Sequence, residues 1–376
     1  MNRSKFVYLV SLTIIFIYLF LSIYETYILE LVGHITRPYL ILFVVFLFFN
    51  IRRTIFKVDQ LLLMIWLLFY CLSLLWTPNI GQASLYVGTI IIMTTISILC
   101  GSCYFSKDLV RHVVELYKWC SVSLATLGLF FSEPISVHNT VRMALTIGGV
   151  QADPNNLVAL YTIGSGLTLF SLKKGGRHVL INLIGLLICV YSILITGSRS
   201  GILILGVQFL IWFFYANKEA RVVVKIIVSA IIVAIAGYIM FTYVNVETLE
   251  RILGTGDLAF TDSTGRDDYW RTALNLFKAS PILGHGWGAY PAHNTFLTIL
   301  VDIGIVGLGL LLVYMARLFL RIIKCKNDMA LVIFCSGVMQ SFLLDAQNKR
   351  FFWNIIILSV LIINSYADSS KNTKFY

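Results

Sequence analysis

Residues 293–320 read HNTFLTILVDIGIVGLGLLLVYMARLFL, and Asp302 and Arg317 are the only Asp, Glu, Lys or Arg residues in this run. An α-helix rises about 1.5 Å per residue, and the hydrocarbon layer of a membrane is about 30 Å thick. Because about 20 mostly apolar residues cross such a layer, the run predicts a membrane-spanning helix.

Similar apolar runs recur along the whole chain. Its residues are 59% hydrophobic and 12% charged, with a mean hydropathy of +0.86, which is more than the surface of a soluble protein carries. We therefore expect an all-α polytopic membrane protein with about 12 transmembrane helices in a single membrane domain, residues 1–376. The expected spans are 6–24, 37–51, 59–76, 83–103, 110–131, 156–172, 178–196, 200–216, 222–244, 293–320, 329–345 and 351–366.

The net charge of +11 is explained by the membrane topology of the chain and does not indicate nucleic-acid binding. If the N-terminus is cytoplasmic, most Lys and Arg residues fall in the short inner loops, as the positive-inside rule requires. Both termini are then cytoplasmic, and the long polar loop 245–292, between the ninth and tenth expected spans, is extracytoplasmic. Basic residues on the outer side, among them Arg142, Arg199 and Arg266, run against this bias and suggest an anionic ligand.

Two short outer segments carry polar motifs. Asp153-Pro154-Asn155-Asn156 precedes a span and is a good helix start, because Asp or Asn caps free backbone N–H groups; Asp153 and Asn155 are alternatively the edge of a polar pocket. The turn 196–201, TGSRSG, joins two spans. Its Gly and Ser residues suit a tight turn, whereas Arg199 either snorkels to lipid headgroups or binds an anion in a cavity.

The centre of the long loop predicts a helix of its own. Thr264 and Asp267 fit a capping box, and Ser280-Pro281 ends the helix. An apolar stripe follows the helical period, so we expect this helix to lie along the outer membrane surface with the stripe towards the lipid. Arg266, in its first turn, either binds an anion with the free N–H groups or pairs with Asp267 or Asp268. The stripe consists of Trp270, Ala273, Leu274 and Phe277.

The end of the loop, residues 284–294, reads GHGWGAYPAHN. Its glycines let the backbone pass close to a bulky substrate, and Trp287 and Tyr290 offer faces for sugar rings or belong to an interfacial aromatic belt. Imidazole suits proton transfer near neutral pH, which makes His293 a catalytic candidate, although a lone His is more often structural. No ligand spacing for a metal is present, and no cofactor is expected.

The order of these motifs resembles the O-antigen ligase and O-antigen polymerase superfamily of bacterial membrane glycosyltransferases. The resemblance covers residues 150–320 in detail and the whole chain in topology. The matching pieces are Asp153-Pro154-Asn155, Thr196 to Gly201, Gly265-Arg266 with Trp270, Pro281 to Gly286, His293-Asn294, and Asp302 to Gly307.

The resemblance implies a GT-C-like, metal-independent inverting enzyme of the bacterial cytoplasmic membrane, with its site on the extracytoplasmic face. It implies His293, Arg266 and Arg199 as catalytic residues, and we assign substrate binding to Asn294, Trp287, Tyr290, Asp153, Asn155 and Trp270. The implied partners are an undecaprenyl-diphosphate-linked oligosaccharide, a glycan acceptor, membrane lipids, and assembly proteins such as a flippase and a chain-length regulator.

Three other functions compete with a polymerase of surface polysaccharide, which the Ile-, Lys- and Asn-rich composition weakly favours. A ligase of the same superfamily would transfer the finished glycan to a lipid or other terminal acceptor. A flippase for lipid-linked oligosaccharide would show polar residues at mid-span and paired broken helices in two matching halves, which the sequence does not display. A surface-sensing or scaffold protein would use the loop arginines only electrostatically.

Overall fold

The computed structural model describes residues 3–32, 36–51, 57–137, 140–172, 178–216 and 266–367, together with the single positions 226, 230 and 234. Most of these residues are helical. The helices are α1 Arg3–Ile23, α2 Glu25–Val32, α3 Thr36–Phe49, α4 Val58–Leu72, α5 Ile80–Ser102, α6 Lys107–Phe131, α7 Pro154–Ser171, α8 Val179–Ile195, α9 Arg199–Ile211, α10 Arg266–Ala279, α11 Thr295–Cys325, α12 Asp328–Ser341 and α13 Arg350–Ala367. A 3₁₀ turn, Ser73–Leu75, extends α4, and a π-helical turn, Trp212–Ala216, extends α9.

Every expected span in the described part of the chain is a helix, with ends within a few residues of those expected. The span 222–244 and loop residues 245–265 lie outside the described residues, apart from single helical positions. Four described helices are long and apolar enough to cross a membrane: Lys5–Ile23, Val58–Leu75, Lys107–Phe131 and Thr295–Cys325. The expected count of twelve spans is therefore not supported. Several apolar helices are shorter, and α12, with 14 residues, is only about 21 Å long.

A small antiparallel sheet, which the sequence analysis did not predict, is added to the otherwise helical fold. It consists of β1 Ser132–Val137, β2 Thr140–Ile147 and β3 Val150–Gln151, in the order β1-β2-β3. Val, Ile and Thr residues favour strands, and Gly148 and Gly149, both with positive φ, make the turn between β2 and β3. The sheet leads directly into α7.

The chain divides into two compact units. Unit 1 comprises Met1–Ser22, His34–Glu115 and Gly265–Tyr376, and unit 2 comprises Ile23–Gly33 and Leu116–Thr264. Unit 1 therefore contains α10 to α13, whereas unit 2 contains the sheet and α7 to α9. The expectation of a single membrane domain stays a prediction.

Helix α11 is broken after its second turn. Ile303 (φ −130°, ψ 18°) and Gly304 (φ 64°, ψ −168°) leave the helical conformation. The main-chain oxygens of Val301 and Asp302 accept hydrogen bonds from the N–H groups of His285 and Gly286, at 2.8 Å each. A Cβ atom at position 304 would collide with the carbonyl oxygen of Ile282, and this backbone conformation is essentially restricted to glycine. The break therefore joins α11 to the end of the long loop.

Candidate functional site

Helix α10 confirms the helix expected in the long loop, while Thr264, its expected cap, lies outside the described residues. Ala273 is fully buried and packs in one cluster with Ala292 and Val301. The expectation that this apolar face lies on the membrane is therefore wrong at Ala273, because the face contacts the loop end and α11 instead. Trp270 and Phe277 are half-buried, and Leu274 is 44% exposed.

The loop that follows α10 is fixed through its backbone and two of its side chains. The His285 Nε2 atom donates to the carbonyl oxygen of Leu276 at 2.7 Å, which gives this histidine a structural role. The Trp287 carbonyl oxygen accepts from the Thr77 hydroxyl at 2.6 Å. The Trp287 ring is buried and meets the Tyr70 ring edge-on, with 4.5 Å between centroids. The ring thus packs inside the protein, and the assignment of Trp287 to substrate binding stays a prediction.

Asp302 links the loop, α4 and α11. Its carboxyl group is buried and accepts a hydrogen bond from the Tyr70 hydroxyl at 2.6 Å and another from the Ala289 N–H group at 3.2 Å. A buried carboxyl group is tolerated only where such donors replace water. Asp302 belongs to one of the motifs that carry the family resemblance. Its hydrogen bonds fix the loop end against the broken helix.

His293 lies two residues before the first residue of α11, in an unusual backbone conformation. Its φ of 51° lies in the left-handed region, which non-glycine residues rarely adopt and which often marks functional sites. The carboxylate of Asp345 accepts from the N–H groups of His293, at 2.9 Å, and Asn294, at 3.1 Å, and also from the hydroxyl of Thr298. The His293 side chain is exposed, so a fixed backbone presents it to the surroundings.

Asn294 is the N-cap of α11. Its side-chain oxygen accepts from the N–H groups of Phe296 at 3.0 Å and Leu297 at 3.1 Å, and the residue is buried. A capping amide whose oxygen is engaged twice has little left to offer a sugar. Asn294 therefore has a structural role as a cap, and its assignment to substrate binding stays a prediction.

One aromatic ring contacts the imidazole of His293, and a second lies next to the first. The Tyr269 ring meets it edge-on, with 4.7 Å between centroids, and the Tyr290 ring lies 6.0 Å from that of Tyr269. Tyr269 follows Arg266 by three residues, so both side chains lie on the same side of α10. The structure thus brings together His293, Tyr290 and the start of α10, whose first residue, Arg266, is half-buried.

Unit 2 contains a second polar cluster, built around Arg142 on β2. The Arg142 side chain is buried, and it donates from Nε to the Thr196 carbonyl oxygen and from Nη2 to the Asn155 side-chain oxygen, each at 3.0 Å. The Ser198 hydroxyl also reaches that Asn155 oxygen, at 3.3 Å. Arg142 therefore ties the turn 196–201 to the start of α7, and Asn155 serves this connection.

The helix start expected at Asp153 is confirmed. The Asp153 carboxylate accepts from the N–H groups of Asn155 at 2.7 Å and Asn156 at 3.1 Å, and Pro154 occupies the first turn. Arg199 is the first residue of α9 and is half-buried. It belongs to unit 2, whereas Arg266 and His293 belong to unit 1.

The sheet is anchored within unit 2. The Tyr27 hydroxyl donates to the Leu145 carbonyl oxygen at 3.0 Å, and burial raises the pKa of this phenol above its ordinary value. Tyr27 therefore stays a neutral donor, which holds β2, and with it Arg142, in place.

No group of three or more His, Cys, Asp or Glu side chains that could hold a metal ion occurs among the residues that the structure describes. The chemistry of both clusters is instead that of arginine, histidine, tyrosine and backbone N–H groups. Such donors suit an anionic or carbohydrate ligand.

The described part of the chain is thus a helical protein with apolar helices of membrane-spanning length and a polar site at the starts of α10 and α11. Residues 184–312 match the family model described as O-antigen ligase. The matched segment contains Arg199, Arg266 and His293, and the match confirms the resemblance to the O-antigen ligase and polymerase superfamily.

A chain from a solved structure titled "Structural coordination of polymerization and crosslinking by a peptidoglycan synthase complex" aligns with 82% of this chain and 97% of its own, at 16% identity and a TM-score of 0.48. A comparison with curated proteins gave no match.

Proposed function

We propose that this chain is an inverting glycosyltransferase that polymerises oligosaccharide repeat units from an undecaprenyl-diphosphate donor during surface-polysaccharide assembly. The family match supports glycosyl transfer in surface-glycan assembly of the O-antigen ligase and polymerase type. The observation that carries the assignment to residues is the exposed His293, held in a left-handed conformation by Asp345 beside Tyr269 and Tyr290.

The proposed reaction forms a bond between an acceptor hydroxyl oxygen and the anomeric carbon of the donor. The bond from that carbon to the diphosphate oxygen breaks, and attack from the opposite face inverts the centre. His293 takes the hydroxyl proton, a role typically worth roughly 10² to 10⁴ in rate. Because the Asp345 carboxylate fixes the backbone at position 293, the imidazole needs little reordering before proton transfer.

The leaving group is a lipid diphosphate that gains negative charge as the bond breaks. Guanidinium groups suit this charge, because their planar fork contacts two phosphate oxygens at once. Arg266 and Arg199, each the first residue of a helix, are the proposed partners of the diphosphate, and they need no divalent ion for this task.

Sugar recognition falls to the aromatic rings near His293. Tyr290 and Tyr269 are half-buried and present hydroxyl groups and ring faces next to the imidazole. We place the site on the extracytoplasmic face of a bacterial cytoplasmic membrane, where a lipid-borne donor meets a membrane–water boundary. A flippase and a chain-length regulator are proposed as associated proteins.

A ligase is the second candidate, because the matched family model is described as O-antigen ligase. It would use the same donor and residues but would transfer the finished glycan to a terminal acceptor. A flippase is the candidate of another class, and the break in α11 is one feature that a transporter would also show.

The test replaces Arg199, Arg266 and His293 singly with Ala in cells and follows both surface-glycan length and lipid-linked intermediates. A polymerase loses long chains and accumulates single lipid-linked units. Long lipid-linked chains left untransferred indicate a ligase, and units trapped on the inner face indicate a flippase. Lys278→Ala is the matched control, since this exposed residue of α10 lies outside the proposed site. If all three variants behave like the parent, the assignment of residues is wrong.

A further inference from the structure

The exposed apolar side chains of α11 begin at its break. Between Thr295 and Gly304, Leu297 and Leu300 are half-buried and the other residues are buried. After the break, large apolar side chains are exposed in pairs seven residues apart, which places them on one face of the helix, since seven residues make two turns. These pairs are Ile305 with Val306, Leu312 with Val313, and Phe319 with Leu320.

The tip of the loop after α10 extends this face beyond the break. Ile282 is 61% exposed and Leu283 is 48% exposed. The Ile305 N–H group donates to the Pro281 carbonyl oxygen at 2.9 Å, and the Ile282 backbone touches the site where a Gly304 side chain would lie. The tip Pro281–Leu283 therefore lies directly beside Ile305, and the apolar surface continues from the helix onto the loop.

The length of the surface matches a lipid layer better with the tip than without it. From Ile305 to Leu320 the helix rises about 23 Å, which is shorter than a hydrocarbon layer of about 30 Å. Beyond Leu320 the exposed Lys324 follows, at a position suited to phosphate headgroups, while Arg317 and Arg321 of the same helix pair with Asp59. At the other end, the exposed Lys278 lies three residues before Pro281, the first residue of the tip. Charged side chains thus flank an apolar band that includes Ile282 and Leu283.

We propose that the tip Pro281–Leu283 inserts among the acyl chains at the edge of the lipid bilayer and that the membrane boundary crosses unit 1 near Gly304. The partner is bilayer lipid, because the tip is continuous with the exposed face of a candidate membrane-spanning helix. The insertion holds the end of α10 at the membrane surface. The buried first segment of α11 then lies outside the hydrocarbon layer, enclosed by the protein. This proposal does not depend on the proposed enzyme activity.

The test measures the depth of nitroxide labels in the full chain reconstituted into phosphatidylethanolamine–phosphatidylglycerol vesicles. Single cysteines are introduced at positions 282 and 283 of a chain whose native cysteines are replaced by Ala. Leu312→Cys serves as the reference within the bilayer, and Asp268→Cys, at the exposed start of α10, is the aqueous control. Collisions with apolar oxygen and with a water-soluble nickel chelate are recorded for each label.

Insertion predicts that labels at 282 and 283 collide with oxygen several-fold more than the label at 268 does, and with nickel several-fold less. Lys278→Cys should fall between these values. Labels at 282 and 283 that behave like the label at 268 would show a tip in water and would overturn the proposal. Labels shielded from both reagents would show a tip covered by protein, such as a second copy of the chain, which also overturns it.

Discussion

The two segments of α11 follow one another in a single apolar run, yet their surroundings differ. The first segment, Thr295–Asp302, is packed inside unit 1, and its polar groups are satisfied by Asn294, Asp345 and Tyr70. The second segment, from Ile305 onward, exposes pairs of apolar side chains along one face. The difference shows that an apolar run predicts a helix and its length, but not which part of the helix is packed inside the protein and which part stays exposed.

The break between the segments connects the first segment to the end of the long loop. Carbonyl groups that would bond within a continuous helix accept instead from His285 and Gly286 of the loop. The loop end, His293 and the start of α11 therefore form one connected structure. The candidate site is built on the first segment, whose polar side chains are hydrogen-bonded within the protein, and not on the second segment with its exposed apolar face.

The largest effect is expected from Gly304→Ala. A Cβ atom would collide with the Ile282 carbonyl oxygen, and the backbone conformation is strained for any residue other than glycine. We expect the free energy of unfolding to fall by about 3 kcal/mol or more, because either the strain stays or the loop detaches. Denaturant titration of the detergent-solubilised chain measures it.

Gly309→Ala is the matched control for this prediction. Gly309 lies in the second segment of the same helix, and a Cβ atom there would meet nothing within 4 Å. Alanine should be neutral or should stabilise the helix by up to about 1 kcal/mol. Equal effects of the two substitutions would contradict the distinction between the segments.

The next effect is expected from Asp345→Ala, which removes the acceptor shared by His293, Asn294 and Thr298. Leaving such donors without an acceptor costs about 1 to 3 kcal/mol of unfolding free energy. Transfer activity should fall further than this loss explains, because the backbone of His293 is no longer fixed.

Asp345→Asn separates the two contributions. The amide keeps the size of the side chain and one acceptor oxygen, so we expect its unfolding midpoint to lie between those of the parent and Asp345→Ala. Activity assayed well below the midpoint of each variant gives the second readout. An Asp345→Ala chain with parental activity under those conditions would remove Asp345 from the site.

A smaller effect is expected from Tyr70→Phe, which deletes the hydroxyl that donates to Asp302 at 2.6 Å. A hydrogen bond to a carboxylate is worth about 1.5 to 3 kcal/mol, and the Ala289 N–H group still contacts the same side chain, so the lower value is expected. Thermal unfolding measures the change. Tyr366→Phe on α13 is the control, and a loss of equal size there would show that the Asp302 contact is not special.

Much of the fold could be predicted from the sequence, because helices that can cross a membrane are recognisable as long apolar runs. The break at Gly304 could not, since glycine inside an apolar run is also compatible with an unbroken helix. The sheet was missed although Val, Ile and Thr residues before Gly148-Gly149 are typical of strands. Only the Asp153–Asn156 motif at the end of this outer segment was interpreted, as a helix start or the edge of a polar pocket, and the residues before it were not assigned a structure.

Only some residues of the candidate site could be predicted from the sequence. Motif order singled out His293 and Arg266, and capping rules placed Asp153 correctly. Asp345 and Tyr269 were not found, because no local pattern tells which carboxylate or which ring a distant backbone will meet. Arg142 was counted among the basic residues of the outer side, but its bonds to Thr196 and Asn155 depend on a strand that the sequence analysis did not predict.

The smallest effect is expected from substitutions at the residues that precede α11 and α9. These residues, Asn294 and Ser198, are the sequence neighbours of the predicted catalytic residues His293 and Arg199. Asn294 accepts from two N–H groups of α11, whereas Ser198, the residue before α9, makes no such capping bond. We expect Asn294→Ala to cost about 1 kcal/mol through the lost cap. Ser198→Ala loses no cap but gives up hydrogen bonds to the Asn155 oxygen and the Ser200 hydroxyl, and we expect it to cost about 0.5 kcal/mol, both as measured by thermal unfolding. Since Asn294 lies at the start of the buried segment, its loss should also weaken His293-dependent transfer, and Ser198→Ala should not lower transfer to the same degree. If the two substitutions cost the same stability, the first segment of α11 is not held by its polar start, and the contrast between the segments rests on the break at Gly304 alone.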